Sequence, residues 1–126
     1  MKANWMSCVV MSVASTILML GMGSKAKADV LNLNSVMQVA GPEIKGTGTY
    51  ATGGALNTIT MYVFDACNNQ VSATLGIAVG GTDWGSTSTV TGGLPKGTYS
   101  VYAVMKTTLN GVVTTTQSGT LMITIK

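Results

Sequence analysis

The stretch GGLPKGTYSVYAVMKT, Gly92 to Thr107, decides how this chain is to be read. Its first half nearly spells LPxTG, the signal by which sortases fix bacterial proteins to a cell wall. That signal needs Thr before Gly, then an apolar span and a basic tail. Here Gly97 precedes Thr98, and an alternating sequence follows. Tyr99, Val101, Ala103 and Met105 fall on one side of an extended chain, and Ser100, Tyr102, Val104 and Lys106 on the other. Successive side chains of a strand point to opposite faces, so this period of two marks a half-buried strand. Pro95 and Gly97 bend the chain ahead of it. The stretch is a turn leading into a core strand.

The same period recurs on both sides. TITMYVFDA, Thr58 to Ala66, puts Ile59, Met61 and Val63 on one face and Thr58, Thr60 and Tyr62 on the other, with Phe64 also outward. After a turn at Asn68-Asn69, QVSATLGIAV (Gln70 to Val79) is read as one strand with Val71, Ala73, Leu75, Ile77 and Val79 on a single face, ended by Gly80-Gly81. Asn110-Gly111 is the strongest hairpin signal, because both residues accept the positive φ of a tight turn. The return, VVTTTQSGTLMITIK, points Leu121, Ile123 and Ile125 inward. Towards the N-terminus, VLNLNSVMQVA (Val30 to Ala40) alternates weakly, as an edge strand would. Gly41-Pro42 ends it, since Pro lacks the N–H of a ladder. In EIKGTGTY (Glu43 to Tyr50), Ile44 is the inward anchor, and Gly46 and Gly48 weaken the strand. Trp84 lies in the segment Thr82 to Thr91. About seven short antiparallel strands with regular turn signals give an all-β sandwich. No amphipathic helix or internal repeat interrupts the pattern.

Residues 1–28 are of another kind. Lys2 gives a positive start, Trp5 to Gly23 is almost wholly apolar, and Ala26-Lys27-Ala28 offers small residues to a signal peptidase. These are the three parts of a secretory signal peptide, with Asp29 as the new terminus and 29–126 as a single domain. An uncleaved anchor is the alternative, since an apolar run of about 20 residues spans a bilayer. Cleavage leaves no membrane span and sends the domain to the medium, the cell surface or the periplasm. The formal charge of +3 belongs to the leader, through Lys2, Lys25 and Lys27. Beyond it, Lys45, Lys96, Lys106 and Lys126 balance Asp29, Glu43, Asp65 and Asp83, and Arg is absent throughout. A nucleic-acid partner needs a basic stripe that this distribution lacks. Cys8 falls in the leader, so Cys67 is read as a small buried residue of the core, with pairing between molecules left open.

Three pieces, in order, resemble the bacterial immunoglobulin-like domains of secreted and surface proteins. PEIKGT (Pro42 to Thr47) resembles their P-x-I-x-G-T opening, and ITMYV (Ile59 to Val63) their V-x-V-Y-V strand. WGSTSTVTGGLPKGTYSVYAV (Trp84 to Val104) resembles their G-x-W … L-x-x-G-x-Y-x-V-x-A signature. The resemblance implies an immunoglobulin-like Greek key in which Trp84, Pro95, Gly97, Tyr99 and Val101 are structural. Tyr99 would be the corner tyrosine, its hydroxyl bonding to nearby backbone. Val101 stands where antibody domains carry a cysteine, which points to the bacterial or fibronectin-type branch. Spacing, adhesion and ligand binding are the roles such domains imply.

Catalytic chemistry finds little footing. Without His, no Ser-His or Cys-His arrangement can be built. Asp65 and Asp83 sit beside turn residues, where Asp ordinarily bonds local backbone. Zinc would need His or several Cys, and Asp65, Asn68 and Asn69 do not follow a calcium-loop pattern. The expectation is a non-enzymatic module without metal or cofactor, acting by contact with a surface protein or glycan. The candidate contacts are Tyr62, Phe64 and Tyr102, which the alternation turns away from the core. They would serve a protein partner or, in the alternative, a carbohydrate stacked on their rings. A Tyr62–Tyr102 cross-strand pair that only stabilises the sheet is the competing reading.

Overall fold

The computed structural model describes residues 29–126, which form strands and turns with no helix. The signal-peptide reading falls on residues 1–28, outside the described residues. In chain order the strands are β1 (Val30–Val39), β2 (Glu43–Ala51), β3 (Ala55–Phe64), β4 (Gln70–Leu75), β5 (Ile77–Val79), β6 (Asp83–Thr87), β7 (Gly97–Leu109), β8 (Val112–Gln117) and β9 (Leu121–Ile125). They make two antiparallel sheets packed as a β-sandwich. One sheet runs β1-β2-β6-β5, and the other runs β4-β3-β7 with β8 and β9 following one another along the far side of β7.

The alternation around Tyr99 builds the centre of the second sheet. Tyr99, Val101, Ala103 and Met105 of β7 are all buried, beside Ile59, Met61 and Val63 of β3. Leu31, Leu33, Ile44 and Trp84 cover them from the first sheet. Trp84 is 1% exposed, and its Nε1 donates to the Asn32 carbonyl at 3.0 Å, so the ring's one polar group is satisfied inside the core. The β2 glycines make room for this packing. A Cβ on Gly48 would collide with the Asn32 carbonyl and the Trp84 indole, and one on Gly46 with the Met61 sulfur. Their lack of a side chain, read from sequence as a weakness, lets the core close.

Among the described residues the strand count is nine, two more than the alternation suggested, because two runs are broken. Ser118 marks one break, between β8 and β9. Its N–H donates to the Ala103 carbonyl (2.9 Å) and its Oγ accepts from the Ala103 N–H (2.8 Å), so one residue carries the ladder across the gap. Gly76 marks the other, and there the chain changes sheets between β4 and β5. This overturns the reading of Gln70–Val79 as one strand with a single apolar face. Ala73 pairs with Tyr62 and Leu75 with Thr60, a register that turns Ala73 and Leu75 outward with those partners. Leu75, Ile77 and Val79 are 67%, 70% and 58% exposed. Small hydroxyl residues face inward instead: Ser72 is buried, and Thr74 meets Ser86 of the other sheet, oxygen to oxygen at 2.8 Å.

Cys67 likewise departs from expectation. It is exposed on the turn between β3 and β4, not buried in the core. Asp65 Oδ1 accepts from the backbone N–H groups of Cys67 and Asn69, both at 2.9 Å, and Asn68 adopts a φ of 67°. These bonds fix the turn and hold Cys67 at its outer side.

Candidate functional site

The outward face of the five-stranded sheet gathers the three aromatic residues that the alternation turned away from the core. Tyr62 and Tyr102 lie directly opposite each other in the β3–β7 register. Their ring centres are 5.5 Å apart at 38°, and Phe64 stacks on Tyr102 at 5.5 Å and 14°. Tyr102 is thus the middle ring of a three-ring cluster. All three are half-buried, with part of each still facing solvent. Burial raises the Tyr102 pKa above the usual tyrosine value, and the neighbouring Tyr62 adds to the shift.

The register supplies the surroundings. Ala73 continues the Tyr62–Tyr102 row onto β4. One row over, Leu75, Thr60 and Val104 lie side by side. On the other flank, Gln70, Phe64, Ser100 and Met122 form a row from β4 to β9, where Met122 is 64% exposed. No charged side chain stands within these three rows; Lys106 begins the next one. From the sequence Leu75 reads as part of a single apolar face of Gln70 to Val79, and Met122 is not named as a contact. The alternation of Leu121, Ile123 and Ile125 already turns Met122 outward, whereas the direction of Leu75 follows only from the pairing of β4 with β3.

The structural candidates sit elsewhere. Tyr99 is buried, and its hydroxyl donates to the Pro95 carbonyl at 2.6 Å, tying the start of β7 to the turn before it. Burial, followed by the charge of Asp65, raises the Tyr99 pKa. Gly97 opens β7 at a φ of 148°, while Pro95 is exposed. Val101 is fully buried on the same row as Tyr99. Asp65 spends one carboxylate oxygen on its turn, and Asp83 is exposed with Thr82 Oγ1 at 3.5 Å. Glu43 is also structural: its carboxylate accepts from Ser88 Oγ and from the Val90 N–H, while Ser88 Oγ in turn accepts from the Ile44 N–H. Among the described residues no three His, Cys, Asp or Glu side chains are grouped as a metal site.

What this face can do is make contact. It is broad, uncharged and lightly polar, able to take an apolar surface or the face of a sugar ring. No protein family, curated protein or solved structure matches this chain.

Proposed function

We propose that the chain is a secreted or surface-exposed immunoglobulin-like module that works by contact and carries out no catalysis. The strand order β1-β2-β6-β5 over β4-β3-β7-β8 supports the Greek-key part of this reading, as does the Tyr99 hydroxyl on the backbone at Pro95. The functional part rests on one observation: the Tyr62–Tyr102–Phe64 cluster, widened by exposed Leu75 and Met122. Aromatic anchors within an apolar surround are what protein-binding hot spots use. A sugar site would also need hydrogen-bonding side chains beside the rings; Thr60, Ser100 and Gln70 offer a few, but Ala73, Leu75, Val104 and Met122 make the surround mostly apolar. A protein partner is therefore the favoured reading and a glycan the second.

The test is retention of the purified protein on intact cells of the producing organism, with or without prior protease treatment of the cells. Tyr102→Ser and the pair Leu75→Ser with Met122→Ser should abolish retention while circular dichroism stays unchanged. Retention lost on protease treatment identifies a protein receptor. If it survives protease but Tyr62→Ala and Tyr102→Ala weaken binding to polysaccharide, the glycan reading holds instead. Unaltered retention in every variant would sink both.

A further inference from the structure

The sheet edges differ in how they are closed, and among the described residues β8 is the longest outer strand that carries no bulge, charge or Pro. A free edge presents unpaired N–H and C=O groups and invites another strand; proteins blunt such edges with bulges, charges, Pro or short length. β1 has a bulge between Leu33 and Ser35, and its far end is tied to the residue after β9, where the Lys126 N–H donates to Gln38 Oε1 at 3.0 Å. β5 is three residues long. β4 has a register shift beside Phe64, and its Leu75 carbonyl accepts from Ser86 Oγ of the other sheet. β8 has none of these. Its six residues, VVTTTQ, pair with β7 from Leu109↔Val112 to Val104↔Gln117 without a shift, and contain no charge and no Pro. Five of them are β-branched, the residue type that pairs best. Val112 and Val113 point to opposite faces, yet are 62% and 59% exposed, so this arm is bare on both faces as well as along its edge.

We propose that β8 is a pairing edge whose occupant is β8 of a second copy, joined antiparallel about a twofold axis into one continuous sheet. An extended strand can replace the water on such an edge along its whole length, and this one can pair with itself. In an antiparallel ladder, opposed residues both turn their backbone groups toward the partner, so they share parity and the axis must pass through a residue. With the axis at Thr114, Val113 meets Thr115 and Val112 meets Thr116; with the axis at Thr115, Thr114 meets Thr116. About Thr114 each of these pairs is β-branched and uncharged, the favourable case for cross-strand contact; about Thr115 the outer pair is Val113 with Gln117, which is uncharged. Charge does not oppose the approach, because residues 29–126 carry four Lys against Asp29, Glu43, Asp65 and Asp83. Six residues bury less than the roughly 1,200 Å² of a stable interface, so association is concentration-dependent, not permanent.

The experiment is sedimentation velocity on protein purified after expression of the full chain, over a micromolar-to-millimolar series. A monomer–dimer equilibrium is expected, and Val113→Lys with Thr115→Lys should weaken it by more than about tenfold by setting like charges across the axis. Amide exchange on the unmodified protein provides a second readout, independent of the variant's folding. At high concentration the β8 amides that face away from β7 should be protected, and dilution should release them. A protein that stays monomeric throughout, a dimer untouched by the two lysines, or β8 amides indifferent to concentration would overturn the proposal.

Discussion

Tyr99 shows how much one hydroxyl can hold. It is buried at the start of β7, and its only polar atom reaches back to the Pro95 carbonyl. Tyr99→Phe should cost about 1 kcal/mol, the net worth of one such hydrogen bond, and lower the melting temperature by about 5 °C. An unchanged melting temperature would mean the bond is not formed in solution. The same residue gives a pH dependence of definite sign. Burial, then Asp65, disfavours the phenolate, so the folded pKa lies above the unfolded value of about 10. The contribution is complete below that pH and is lost as pH rises through the raised folded value. Titration of tyrosinate absorbance should show Tyr99 and Tyr102 ionising after the ordinary range, and Tyr99→Phe should remove one late component. All tyrosines titrating together at the ordinary value would contradict it. Ser72 gives the opposite case, since its Oγ is buried with no hydrogen-bond partner. Ser72→Ala should therefore leave stability equal or raise it by about 1 kcal/mol, measured by urea unfolding.

At the scale of the element, apolar alternation proved a faithful guide only where a strand faces the core. Ile59 and Leu75 both lie on alternating apolar rows, yet one is 2% and the other 67% exposed. Ile59→Ala should cost about 2–5 kcal/mol and Leu75→Ser less than about 0.5. Comparable losses at both sites would mean that β4 faces the other way. The alternation of β3 and β7 and the hairpin at Asn110-Gly111 were legible because their local signals agree with their burial. β4 was not, because its phase is fixed by register with β3, and register is a tertiary property. The site shows the same division. The outward direction of Tyr62, Phe64 and Tyr102 could be read from period two, but their stacking depends on the β3–β7 pairing. The part played by Gly46 and Gly48 was hidden too, since sequence shows the missing side chain and not the indole that needs the room.

At the scale of the whole molecule, the two sheets are also fastened near the beginning of the described chain. Asp29 precedes β1, and its carboxylate accepts from Thr52 Oγ1 at 2.7 Å, beyond the end of β2, and from Thr107 Oγ1 in β7. One side chain thus links the first sheet's β2 end to the central strand of the second. This bears on the proposed signal peptide, whose cleavage after Ala28 would make Asp29 the first residue. Cleavage there retains the clamp, whereas cleavage even one residue later removes it. If the leader is removed as proposed, N-terminal sequencing should find Asp29 first. The cleaved protein should focus near neutral pH, because Lys2, Lys25 and Lys27 leave with the leader and the remaining charges balance. Asp29→Ala should lower stability by about 1–3 kcal/mol, since it removes the acceptor of the half-buried Thr52 hydroxyl and of the buried Thr107 hydroxyl. A protein that keeps an alkaline isoelectric point would retain its leader as an anchor. One that starts beyond Asp29 with undiminished stability would show that the clamp contributes nothing to holding the sheets together.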